Sequence, residues 1–216
     1  MPHLILLLLS TPAALNHLGA SAFARGQYAA AQQLFVMAWR QQPSASLASN
    51  LGAAARHLRE WDAAERWFTR VIELRTAALG SSHADTAIAW NNRGETRMQA
   101  GRPAEARTDL AWALELTLLA ADRAAILHNL GELERQQGRL AQARQQLEAS
   151  LALRPDSTAT MAVLARVLAE MAEGALERAR LREAIRLCRQ ALALAPIEEP
   201  ALRCQHRVEA TVVEVR

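Results

Sequence analysis

The chain of 216 residues is 51% hydrophobic and 22% charged, a balance that suffices for one large or two small folded domains. Its formal net charge is only +3, and the signs alternate without a block of like charge, which argues against the basic footprint of a nucleic-acid-binding surface. All 25 basic residues are arginine, as a GC-rich genome would give, so P-loop, Schiff-base and lysine-nucleophile chemistry are excluded.

The first segment, MPHLILLLLSTPAA, holds six consecutive apolar residues, Leu4–Leu9, too few to span a bilayer. It reads either as the core of a secretory signal followed by the small residues Pro12–Ala14, or as an apolar strap over the first helices. Against the signal, the apolar run is short and no Arg or Lys precedes it. Cytoplasmic and exported locations therefore both stay open. From there on, Ala and Leu dominate and aromatics fall to 4%, which favours helix over strand.

The chain repeats itself. NHLG ends at Gly19, SNLG at Gly52, NNRG at Gly94 and HNLG at Gly131, spacings of 33, 42 and 37 residues. Twelve residues after each glycine stands an alanine: Ala31, Ala64, Ala106 and Ala143. Seven residues after three of them stands a second glycine, Gly26, Gly101 and Gly138, with Arg59 in that place in the second unit. Periods of this length mark stacked supersecondary units. The first glycine and the later alanine are small so that two antiparallel helices can approach closely. The second glycine suits the turn between them, and Pro43, Pro155 and Pro196 stop the second helices. Apolar residues fall at helical spacing in between, as in Leu140, Ala143, Leu147 and Leu151.

On these residues the chain resembles a tetratricopeptide-repeat (TPR) protein. The family pattern is nearly complete in the first unit as Leu18-Gly19, Gly26, Tyr28, Ala31, Phe35, Ala38 and Pro43. The second unit carries Leu51-Gly52, Trp61, Ala64, Phe68 and Val71, and the fourth Leu130-Gly131, Gly138, Leu140, Ala143, Leu147, Ser150 and Pro155. A fifth has a clear second helix, Leu181 to Pro196, with Ala184, Cys188 and Ala191 at the small positions. Its first helix has seven extra residues, about two turns, so a lengthened helix is expected near 158–178. The 42-residue unit, LGSSHADTAIAWNNRG, resembles the longer repeats of kinesin-light-chain type through Gly80, His83, Asp85, Thr86 and Ala87, with Ala84 in place of the proline. His83 there reads as a turn and cap residue rather than a catalytic base.

The resemblance implies an all-α, right-handed α-solenoid of about five helix-turn-helix hairpins plus a C-terminal capping helix. The expected division is an apolar segment 1–11, a solenoid over 12–196 in units 12–43, 45–78, 85–119, 122–155 and 157–196, and a capping helix over 197–216. Stacked repeats need such a cap at an open end.

Catalytic patterns are absent from the sequence. The six histidines form no H-x-x-x-H or H-E-x-x-H arrangement, and there is no G-x-S-x-G or G-x-G-x-x-G. Cys188 and Cys204 form no C-x-x-C pair, so neither a zinc knuckle nor a thioredoxin-type site is indicated. Two buried free thiols are the expectation, with a disulfide as the alternative. Trp61, Trp67 and Trp90 read as packing residues, whereas Trp39 and Trp112 are expected to be partly exposed. No cofactor, metal or nucleic acid is expected.

The resemblance also places the first helices on the concave face, each with a polar pair before its glycine: Asn16-His17, Ser49-Asn50, Asn91-Asn92 and His128-Asn129. It implies that the Asn before the Leu-Gly pair grips an extended peptide, since an amide offers both a donor and an acceptor to a peptide backbone. The alternative is that these amides bond to neighbouring repeats, which is favoured for Asn16. Neighbouring positions on this face are Ser49, Ala53, Arg56, Glu95, Glu132 and Arg135. The candidate peptide-binding residues are therefore Asn50, Asn91, Asn92, Asn129, His128, Arg56, Arg135, Glu95 and Glu132. The expected role is a non-catalytic adaptor of bacterial type that holds a protein or extended peptide. The alternative is an exported, envelope-associated assembly protein that forms homo-oligomers through its ends, motivated by Leu4–Leu9 and the tail residues Val212, Val213 and Val215. Arg93 is the oddity, standing where Leu18, Leu51 and Leu130 pack. Its stem should lie along the core with an acidic partner, Asp109 or Glu65.

Overall fold

A computed structural model describes residues 11–80, 83–117 and 119–214, and both the Leu4–Leu9 segment and Val215 lie outside them. Among the described residues there are eleven α-helices and no strand. They are α1 (Pro12–Ala24), α2 (Tyr28–Gln41), α3 (Ala45–His57), α4 (Trp61–Leu79), α5 (Ala84–Gln99), α6 (Pro103–Leu116), α7 (Ala120–Gln136), α8 (Leu140–Leu153), α9 (Thr158–Glu177), α10 (Leu181–Leu194) and α11 (Glu199–Glu214). The chain divides into two compact units, the first running to Thr117 and the second from Leu118.

Within the first unit α1–α2, α3–α4 and α5–α6 pair as hairpins, and α2 and α4 then pack on α3 and α5. In the second unit α7–α8 and α9–α10 pair, α8 packs on α9, and α11 packs on both α9 and α10. The lengthened helix expected near 158–178 is α9, 20 residues long. The long 42-residue spacing is accommodated in α4, which runs for 19 residues where most second helices have 14.

The repeat markers have direct physical causes. A Cβ at Gly19 would fall 2.5 Å from the Phe35 ring, at Gly52 2.8 Å from Phe68, at Gly94 2.9 Å from Leu110 and at Gly131 2.6 Å from Leu147. Each of these four glycines thus receives the apolar residue sixteen positions later on the paired second helix. The alanines twelve residues on, Ala31, Ala64, Ala106 and Ala143, are all fully buried. The hairpin turns use the left-handed region: Gly26, Gly101 and Gly138 have φ of 74°, 75° and 70°. Arg59 and Ala179 take the same conformation at φ 60° and 56° without being glycine.

Side chains set the starts of four first helices. Thr11, Ser44 and Ser157 accept from the N–H groups of Ala14, Leu47 and Thr160, and His83 Nδ1 accepts from the Asp85 N–H at 3.2 Å. His83 is therefore the cap residue the sequence suggested.

Two expectations need correction. Cys188 and Cys204 are not free thiols but a disulfide joining α10 to α11, with Cα atoms 5.7 Å apart. Both cysteines lie on the helix faces that pack together, so the small apolar character that suggested buried thiols also brings the two sulfurs into contact. The leucine position before each glycine is also not uniformly core: Leu51 is fully buried, whereas Leu18 is exposed.

Candidate functional site

The first helices carry the candidate residues, and their polar side chains link one first helix to the next. In the first unit the Asn50 amide donates to Asn16 Oδ1 at 2.8 Å, tying α3 to α1. Arg56 on α3 forms an ion pair with Glu95 on α5. Asn91 is half-buried and has its own partner. Asn92 is also half-buried, its carbonyl accepting from the Thr96 hydroxyl at 2.8 Å, while its side-chain amide has no hydrogen bond among the described residues.

In the second unit His128 Nδ1 lies 3.1 Å from the Thr160 hydroxyl, joining α7 to α9. Asn129 is half-buried and partnered. Arg135 grips Glu132 in a bidentate pair at 2.9 and 2.8 Å and reaches Glu170 on α9 at 2.8 Å. Burial acts to raise the Glu132 carboxyl. The hydrogen bonds from Arg135 and Gln136, with the charges of Arg135 and Arg166, outweigh that and hold it below the usual carboxylate range. The hydrogen bond to Glu132 likewise pushes the Arg135 guanidinium above its ordinary value.

Arg93 has the partner its burial demands. Its guanidinium makes a bidentate pair with Asp109, both bonds 2.8 Å, donates to the Thr69 hydroxyl at 3.1 Å and stands 4.5 Å over the Trp90 ring. Asp109 is 1% exposed and also takes Arg97 at 3.0 Å. Glu65, the other partner suggested for Arg93, instead binds Arg97 at 2.7 Å and Arg102 at 2.6 Å. The reason is register: Glu65 stands four residues before Thr69 on α4, one turn away, level with Arg97 one turn beyond Arg93. Burial raises the Glu65 carboxyl, but the bonds and charges of Arg97 and Arg102 bring it below its ordinary value.

The aromatic residues mostly pack. Trp39 meets Trp67 edge to face at 5.1 Å, both half-buried, and the exposed Trp112 lies 6.4 Å from Trp90. Among the described residues no group of His, Cys, Asp and Glu could hold a metal ion, and no helix is long and apolar enough to cross a membrane. The Asn16–Asn50 bond is the link between neighbouring repeats that the sequence offered as the alternative role for these amides. Sequence reasoning missed the role of Asp109 as shared counter-ion for two arginines. The spacing of Arg93 and Arg97 on α5 was the available signal for it.

Two family models, each described as tetratricopeptide repeat, match residues 43–118 and 123–154, together half of the chain. No curated protein sequence gives a significant match. Among solved structures, the chain is similar to one from the functional characterization of Pseudomonas aeruginosa pilF, with a TM-score of 0.64 at 22% identity over 93% of this chain and 91% of that one. It is also similar to YrrB, described as a TPR protein with an unusual peptide-binding site, with a TM-score of 0.60 at 14% identity over 89% and 91%. A match to the Cut9–Hcn1 hetero-tetramer of the APC/C has a TM-score of 0.63 at 17% identity, covering 95% of this chain but only 45% of that one. These identities speak to the fold, and the fold and the sequence models agree: the chain belongs to the tetratricopeptide-repeat proteins.

Proposed function

We propose that the chain is a non-catalytic scaffold that holds an extended peptide or a partner protein on its first-helix faces. The observation that carries this reading is Asn92, a half-buried side-chain amide on α5 with no hydrogen bond among the described residues. A half-buried amide gains by taking both a donor and an acceptor from a passing peptide backbone. This is the mode that the kinesin-light-chain-type resemblance of the 42-residue spacing implies for the Asn before the Leu-Gly pair, a place that Asn92 takes with Arg93 in the position of the leucine. Asn50 contributes less, because its amide already bonds to Asn16. The class of activity is supported by two proteins of the same fold, YrrB with its peptide-binding site and Cut9–Hcn1 with its hetero-tetrameric assembly. Replacing Asn50, Asn92 and Asn129 together by Ala should weaken capture of the native partner about tenfold or more while helix content stays unchanged, as read by pull-down quantification and circular dichroism. Normal capture by the triple variant would sink the proposal.

A second reading, an exported assembly protein, is favoured by the Cys188–Cys204 disulfide, since disulfides persist in oxidising compartments. Protein trapped by alkylation in intact cells should then show no free thiol on titration. Two free thiols per chain in that assay would count against export.

A further inference from the structure

The C-terminal face of the second unit carries features that the first-helix stripe does not use. Between α10 and α11 lies a cleft of about 600 Å³ whose apolar wall is Ile185, Leu192, Val208 and Val212, with Gln205 and Glu209 on the α11 rim. Along the outer surface of α10, Arg182, Arg186 and Arg189 follow one another at i, i+4 and i+7, so all three stand on one face over about two turns. All three are exposed, and none makes an ion pair or hydrogen bond among the described residues. Elsewhere in this unit Arg135, Arg139, Arg144 and Arg207 each reach a carboxylate. Arg189 belongs both to the stripe and to the cleft, so the row of positive charge borders the apolar wall directly.

We propose that this α10–α11 face binds an amphipathic α-helix of a partner protein, one with an apolar ridge and an acidic flank. The charge follows from three unpaired guanidiniums on one face of α10, the last of them at the cleft, which complement the carboxylates of Asp and Glu side chains. The helical form follows from the shape of the cleft. Ile185 and Leu192 stand seven positions apart, as do Gln205 and Val212, so both walls run about 10 Å, two helical turns, and side chains at i, i+3, i+4 and i+7 of a third helix match that length. An extended peptide is less suited, because it is recognised through backbone hydrogen bonds, and the Gln205 amide is already given to Glu209 at 2.9 Å. An anionic membrane is less suited too. Of the apolar side chains that line the cleft only Val213 is largely exposed, Val208 is 7% exposed, and Glu209 on the far rim repels anionic headgroups.

The test uses the full chain and two labelled helical peptides with leucines at i, i+3, i+4 and i+7, one flanked by Glu and its twin by Lys. Fluorescence anisotropy should show the Glu-flanked peptide binding at least about tenfold more tightly than the twin, with affinity falling as salt is raised. The triple reversal R182E/R186E/R189E, all exposed positions, should invert that order. Val212→Glu should weaken both peptides, with circular dichroism confirming that each variant is folded. The Asn50, Asn92 and Asn129 triple variant should bind the Glu-flanked peptide normally, which keeps this site separate from the first-helix reading. The proposal is overturned if neither peptide binds at about 1 mM, if both bind alike, or if the reversal leaves the order unchanged. Binding to phosphatidylserine vesicles that the Glu-flanked peptide cannot displace would overturn it as well.

Discussion

At the scale of single residues the repeat is written in sterics. Gly131 has no room for a methyl group, since a Cβ there would lie 2.6 Å from Leu147 Cγ and 3.3 Å from the Ala143 carbonyl oxygen. Leu147 is itself fully buried and cannot swing away. Gly131→Ala should therefore cost about 1–3 kcal/mol through overpacking, although alanine is the better helix former. Chemical denaturation measures the loss, and adding Leu147→Val, which clears space, should recover part of it. A Gly131→Ala variant as stable as the parent would show that the α7–α8 spacing is not set by this contact. The glycine-to-alanine interval of twelve residues made this legible in the sequence, because it fixes which positions face each other across a hairpin.

At the scale of elements, charge as well as packing joins α4, α5 and α6. Asp109 on α6 is 1% exposed and receives both Arg93 and Arg97 of α5, while Glu65 on α4 receives Arg97 and Arg102. Removing one member of such a buried set leaves the others without a counter-charge, which typically costs about 3–5 kcal/mol. Asp109→Ala should fall in that range by thermal or urea unfolding. Arg93→Leu restores the residue of the other repeats but also leaves Asp109 with Arg97 alone, so it should destabilise as a single change. Combined with Asp109→Leu it should recover most of the loss, and a double variant no better than Asp109→Ala would contradict this coupling. The need for an acidic partner was legible from one residue, Arg93 at a leucine position. Which carboxylate answered was not, because that depends on the register between helices from three different elements. The disulfide escaped for a similar reason: sixteen residues of separation place Cys188 and Cys204 on adjoining helices, but only the packing of α11 on α10 turns their faces together.

At the scale of the whole molecule, both units carry an arginine-held carboxylate on or beside the first helices, Glu65 in one and Glu132 in the other. Each has its folded-state value held below the ordinary carboxylate value of about 4.5, because the arginine bonds and charges outweigh the opposing effect of burial. A depressed folded value means that the unfolded chain takes up protons first as the pH drops. The stability these groups contribute is therefore complete above about pH 4.5 and is lost as the pH falls through their folded values. The melting temperature should be nearly flat from neutral pH down to about 5 and decline below that. Glu132→Gln should melt lower than the parent at neutral pH, since Arg135 loses a charged partner but keeps Glu170 at 2.8 Å. The gap between variant and parent should close as the solution is acidified, because protonation of Glu132 makes the two proteins electrostatically alike. A gap that stays constant from about pH 7 to about pH 3 would show that Glu132 contributes through packing and not through its charge. Scanning calorimetry across that range decides between the two, and it reads the same groups that hold α7 to α9.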